Sequence, residues 1–250
     1  MTYVEGDPGH IDVHESIRLL FMAAGLDPAL IPDEATLGAT THIEDHNKIA
    51  DALAWLDANG VIGGWADVSA TTGSPTVTTP TGYHVYSFAS NGSFTIPADG
   101  WVEYLVQAGG GGSTGNYGAG GGMTRTGVAW LSAGTYTVTV GAAGSSSPTN
   151  GGNSEIVGVA KCLGGVRGGA TLWGQGAKGG TGDLFGGGGG SLTDGSGGTG
   201  GDGITSSISG SSLEYGAGGD YPGPVAGVRG GGASGAAAGG AGLVIIRTKD

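Results

Sequence analysis

Forty-nine of the sixty glycines in this chain fall between Gly109 and Gly242, and the same stretch keeps interrupting itself with Val, Ile, Leu, Trp and Tyr. A flexible glycine linker carries no such apolar punctuation, because nothing in it has to be buried. The glycine is therefore expected to be structural. Glycine makes up nearly a quarter of the chain, far above the usual ~7%, which excludes an ordinary enzyme composition and implies a special backbone geometry.

Strand patterns frame the glycine-rich stretch. They read as Tyr83–Ala89, Ser93–Pro97, Trp101–Ala108, Thr124–Leu131, Thr135–Val140, Glu155–Leu163 and Leu243–Arg247, with Asn91-Gly92 as the turn joining the first two. Trp130 and Tyr136, inside these patterns, read as core residues. The first glycines follow Ala108 directly and the last lead into Leu243-Val-Ile-Ile246, so both ends are pinned to one β-framework.

Within the stretch, Gly109, Gly112, Gly115, Gly118 and Gly121 recur every third residue, as do Gly176, Gly179 and Gly182, and Gly195, Gly198 and Gly201. Period three suits an extended left-handed helix of the polyproline II type. Such a helix has no internal hydrogen bonds, but without Cβ atoms several can approach until their N–H and C=O groups pair laterally. At this glycine density the period alone proves little. Collagen is excluded, since no G-X-Y phase survives beyond a few triplets and the X and Y positions lack proline.

The N-terminal part differs. Residues 12–25 place Val13, Ile17, Leu20, Phe21 and Ala24 at helical spacing, and Thr41-His-Ile-Glu44 fits a capping box opening a second helix to about Asn59-Gly60. That helix carries one narrow apolar stripe, Ile49, Ala52, Leu53 and Leu56, which needs a partner. Residues 1–66 are therefore expected to be an acidic helical module for attachment and self-association, with a homotrimer preferred. Residues 67–82, rich in Thr, Ser and Pro, read as a linker or an extended arm, and residues 83–250 as the glycine-rich domain.

The formal net charge is -12, and no Lys/Arg stripe is present to neutralise phosphates, so nucleic acid and anionic membrane surfaces are not expected partners. No apolar run approaches the ~18 residues of a membrane span, and the start has no signal-peptide pattern, so membrane insertion and export are not expected. Cys162 is the single cysteine and reads as a small apolar strand residue.

Four motifs invite a chemical reading. Gly174-Gln-Gly176-Ala-Lys-Gly179 matches a dinucleotide fingerprint, but no helix pattern follows to receive a pyrophosphate. The segment Gly197–Thr205 matches one calcium-binding nonapeptide centred on Asp202, yet such sites need stacked copies. His10 and His14, and His42 and His46, are spaced four apart without the further ligands of a zinc site. The glycine-rich stretch contains no histidine to serve as a base. No catalytic residue, cofactor or metal is therefore expected. The large rings among the glycines, Tyr117, Trp173, Phe185, Tyr215 and Tyr221, are the candidate contacts, since rings on loops stack on sugars or anchor interfaces.

Val85-Tyr-Ser-Phe88, Gly92-Ser-Phe-Thr-Ile-Pro97, Tyr104-Leu-Val-Gln-Ala-Gly-Gly-Gly-Gly112, Gly134-Thr-Tyr-Thr-Val-Thr-Val-Gly141 and Gly240-Ala-Gly-Leu-Val-Ile-Ile-Arg247 together resemble the glycine-rich domains of bacteriophage tail fibres and tail adhesins. Glu5-Gly-Asp-Pro-Gly-His10 and the His42–Leu53 segment are similar to the starts of minor tail proteins in phages of actinobacteria. The resemblance implies a mainly β fold with polyglycine II helices packed on a small β-framework, behind a short α-helical N-terminal module. It also implies a virion tail component made in the host cytoplasm. Residues 1–66 would dock on other tail-tip proteins, and loops of the glycine-rich domain would contact a host envelope glycan or surface protein. The alternative is a structural tail-tip protein without receptor contact; an ice-binding or calcium-binding protein fits less well.

Overall fold

The computed structural model describes residues 64–113, 118–147, 149–167, 190–196, 198–220, 230–233 and 236–249. All of these but Gly64 belong to one compact unit, Trp65–Asp250. The expected N-terminal helices, with Ile49, Ala52, Leu53 and Leu56, lie outside the described residues, as do both N-terminal histidine pairs and the Gly174–Gly179 motif.

The described fold is mainly β. Its strands are β1 (Ala70–Thr72), β2 (Thr76–Thr78), β3 (Tyr83–Phe88), β4 (Gly92–Ile96), β5 (Gly100–Gln107), β6 (Thr124–Leu131), β7 (Gly134–Thr139), β8 (Ser154–Ile156), β9 (Ala160–Cys162), β10 (Ile204–Ser206), β11 (Leu213–Tyr215) and β12 (Leu243–Lys249). One five-stranded sheet has the order β2-β3-β12-β5-β6 and a second has β1-β4-β7-β8-β9, while β10 and β11 form a separate hairpin.

The two larger sheets pack as a sandwich. Phe88, Val102, Val106, Val244 and Ile246 from the first meet Phe94, Ile96, Val138, Ile156 and Cys162 from the second in one buried cluster. Phe94 stacks on Tyr136 at 5.3 Å between ring centroids. The opposite face of the first sheet is covered in part by the hairpin, through a second cluster of Val85, Leu105, Ile208, Tyr215, Leu243 and Ile245. Strand β12 lies in the middle of that sheet with a core on each side, which is why Leu243-Val-Ile-Ile246 is apolar at every position instead of alternating.

Three expectations change here. Residues 67–82 are not a free linker, because Ala70–Thr72 pairs with β4 and Thr76–Thr78 pairs with β3. The chain crosses from one sheet to the other between them, at Gly73 and Ser74, with φ of 77° and 51°. Asn91-Gly92 does not close a hairpin either, since β3 and β4 belong to different sheets. It is a second crossing at the same corner, where the Ser90 hydroxyl donates to the Gly73 carbonyl at 3.0 Å and the Asn91 side-chain oxygen accepts from the Val140 amide at 2.8 Å. The single strand expected over Glu155–Leu163 is a hairpin of β8 and β9, turning at 157–159.

Past one end of the sandwich the strands run on as glycine-rich segments. Strands β5, β7 and β9 continue into 108–113, 140–145 and 163–167, while 118–123, 149–153 and 236–242 lead into β6, β8 and β12. The amides of Ala108, Gly109 and Gly110 donate to the carbonyls of Met123, Gly152 and Gly240. Those of Gly111, Gly112 and Ser113 donate to Gly120, Thr149 and Ala237, in the same three segments and the same order. The carbonyls of Gly109, Gly110 and Gly111 accept from Gly165, Gly144 and Ala233, in three others. Segment 108–113 is thus bonded to six neighbours. Sheets of a sandwich are normally held about 10 Å apart by their side chains. Here Gly109, from one sheet, bonds directly to Gly152, from the other, because no side chains stand between them.

A Cβ at Gly109, Gly110, Gly111 or Gly112 would strike the carbonyl oxygen of Ala142, Gly231, Val166 or Ser145 respectively. Every direction around this segment is occupied, which explains four consecutive glycines. At the rim the requirement relaxes: 141–145 keeps Gly141 and Gly144 where backbone abuts, and places Ala142 and Ala143 between them.

A buried polar seam marks the passage from sandwich to glycine segments. The Gln107 amide donates to the carbonyls of Ala108, at 2.7 Å, and Gly122, at 3.0 Å, while its oxygen accepts from the Thr124 hydroxyl. The Ser154 hydroxyl donates to the Gln107 carbonyl at 2.7 Å and accepts from the Gly141 amide at 2.9 Å. Here strand pairing gives way to the rotating pattern, and side chains satisfy the groups that neither pattern reaches.

Candidate functional site

The glycine-rich segments end together, away from the sandwich. Gly112 reaches Thr149 through its amide, Ser113 and Ala237 exchange both backbone bonds, Gly120 donates to Val166, and Gly219 and Ala119 are joined. The Arg167 amide is held by the Asn150 side chain at 3.0 Å and the Gly200 amide by Asp220 at 2.6 Å. From this end depart the residues between Ser113 and Gly118, those after Arg167 and those after Asp220. Four of the five ring candidates, Tyr117, Trp173, Phe185 and Tyr221, belong to these stretches and lie outside the described residues.

The fifth candidate is corrected. Tyr215 is 0% exposed and fills the core between the β10–β11 hairpin and the first sheet, so it is a packing residue and not a surface contact. Its ring faces the apolar Leu105 and Ile245 cluster, and its hydroxyl is buried without a hydrogen-bond partner among the described residues.

Trp130 is corrected in the opposite sense. It is 42% exposed, and Val128, two residues earlier on the same face, is 54% exposed. Both sit on β6, at the edge of the first sheet, where the β10–β11 hairpin does not cover the outer face. Trp130 packs edge-on against Trp101, its cross-strand partner, at 5.3 Å. Farther along this face Arg247 pairs with Glu103 and lies over the Tyr83 ring at 4.6 Å. The sequence showed these aromatic positions but not that an edge strand has only one covered face.

Of the chemistry-bearing motifs, the nonapeptide match lies largely within the described residues, and its aspartate is bonded locally. Asp202, centre of the nonapeptide match, accepts from the Thr193 hydroxyl at 3.3 Å, while its own amide donates to that hydroxyl at 2.7 Å. Among the described residues no group of three or more His, Cys, Asp and Glu side chains is gathered. Cys162 is buried, and its thiol donates to the Val106 carbonyl at 3.2 Å. Burial pushes this thiol up to about 11, partly opposed by the Arg125 charge and backbone amide, so it holds its proton at neutral pH and is a poor nucleophile.

No protein-family model matches the chain, and no curated protein matches it in sequence.

Proposed function

We propose that the chain is a virion tail-tip or tail-fibre component that binds the host cell surface through the residues rooted at the end of its glycine-rich segments. The observation that carries this reading is the bond pattern around 108–113, where six neighbours are held by backbone alone. Such a scaffold is rigid and presents no side-chain chemistry of its own, so specificity falls to the stretches that leave it. The rotation of successive amides through three directions, returning every third residue, supports reading these segments as polyglycine II helices with about three residues per turn. Recognition rather than chemistry is the proposed activity. Residues 1–66 would attach to the tail, and several copies would add avidity to weak single contacts.

The test is adsorption of the labelled full chain to actinobacterial cell envelopes. Saturable binding is expected, weakened about tenfold or more by alanine at the contact rings among Tyr117, Trp173, Phe185 and Tyr221. Absence of saturable adsorption would sink the adhesin reading. A bracing role within the tail is the second reading, favoured by the exposed Val128 and Trp130. It requires binding to tail proteins or to other copies, with no adsorption to cells.

A further inference from the structure

The sandwich has four sheet edges, and three of them are blunted. Strands β1, β2 and β9 are each three residues long, β1 and β2 are separated by Pro75, and β9 exposes Lys161. Short strands, proline and lysine are the usual protections against edge-to-edge pairing. The fourth edge, β6, has none of them. It runs for eight residues as Thr-Arg-Thr-Gly-Val-Ala-Trp-Leu, without proline and with Arg125 as its one charge. Among the described residues no strand pairs with its outer side, and Val128 and Trp130 stand exposed along it.

A row of backbone donors and acceptors left without a strand partner among the described residues is best satisfied by another strand, and the residue pattern of β6 says which. We propose that β6 pairs antiparallel with β6 of a second copy of this chain, about a two-fold axis through Val128. In that register Val128 faces Val128 of the second copy, Trp130 faces Thr126, Gly127 faces Ala129 and Arg125 faces Leu131. Opposed residues keep the same face of the sheet, so the exposed side chains meet one another across the axis. No like charges are opposed, because the two copies of Arg125 lie at opposite ends of the ladder. The axis also falls in the open half of the strand, since its start lies beside Cys162 of β9. Because both copies use the same edge, the pairing closes on itself and leaves only the blunted edges β1, β2 and β9. It does not depend on what the end of the glycine segments binds.

Disulfide trapping in the full chain tests the register. Directly opposed residues of an antiparallel pair have Cα atoms about 4.5–5.5 Å apart, within the 4.4–6.8 Å that a disulfide spans. Val128→Cys is therefore expected to give a covalent dimer on mild oxidation, seen by non-reducing electrophoresis. Thr126→Cys and Trp130→Cys would each lie four positions from their own copies, roughly 13 Å away. Each alone should cross-link at least about tenfold more slowly, whereas a mixture of the two should yield the mixed dimer. Buried Cys162 supplies the unsubstituted control. Cross-linking of Val128→Cys no faster than Thr126→Cys, or a Thr126→Cys and Trp130→Cys mixture that gives no mixed dimer, would overturn the pairing. Association through residues 1–66 alone would leave all three cysteines equally slow, so the two modes are distinguishable.

Discussion

A methyl group at Gly111 has nowhere to go. Its Cβ would meet the carbonyl of Val166 and the amide of Arg167, both main-chain atoms of a segment held by its own hydrogen bonds. Gly111→Ala is expected to destabilise the fold by about 3 kcal/mol or more, at the upper end for overpacked sites. Gly134→Ala is the control: nothing lies closer than 3.9 Å to its added Cβ, and a change within roughly 0.5 kcal/mol is expected. Urea midpoints of the two variants check the contrast, and equal midpoints would refute close backbone packing. At this scale the sequence was only partly legible. The unbroken run Gly109–Gly112 announced a place where no side chain fits, but the ring positions did not announce their surroundings. Tyr215 looked like a loop ring because Gly216, Gly218 and Gly219 follow it, yet it closes a hydrophobic core. Trp130 looked buried because it lies inside a strand pattern, yet the hairpin that covers the outer face of its sheet does not reach β6. Propensity and period describe a residue's own strand, whereas burial depends on what covers each face.

Among the elements, the seven strand patterns all lie in the sheets, with Glu155–Leu163 split into β8 and β9. What escaped was pairing and the smallest elements. Strands β10 and β11 are three residues each and sit among glycines, so no periodicity could build up. Strands β1 and β2 hid in a Thr/Ser/Pro composition that reads as a linker. Which strands shared a sheet was not local information either, as the Asn91-Gly92 crossing demonstrates. At the junction between strands and glycine segments the Gln107 side chain bonds to Ala108, Gly122 and Thr124. Gln107→Leu would leave the Ala108 carbonyl without its buried donor, while the Gly122 carbonyl keeps the Ser191 hydroxyl at 2.6 Å and the Thr124 hydroxyl keeps the Tyr215 carbonyl at 3.4 Å. A loss of about 1–3 kcal/mol is expected, the cost of one orphaned buried group. Thermal or urea unfolding measures it, and Gln107→Glu should not restore it, because the carboxylate cannot donate to either carbonyl.

In the molecule as a whole, the glycine segments draw together pieces of chain far apart in sequence, as in the bond from Gly110 to Gly240. That placement also has a mechanical meaning. The bonds around 108–113 lie across the segment, while the segment itself continues β5. A load carried from Trp65, bridged to Trp101 at the start of β5, to the far end of the glycine segments would run along the strands and shear many transverse bonds at once. A load that draws Lys249 away from β3 would instead peel them one after another. Single-molecule stretching between attachment points at Asp67 and Ser146 should therefore require several-fold more force than stretching between Asp67 and Lys249. Equal forces would contradict the transverse arrangement. A backbone lattice without side chains would thus behave as a tether that resists tension along its axis, a property that a flexible glycine linker of the same composition lacks.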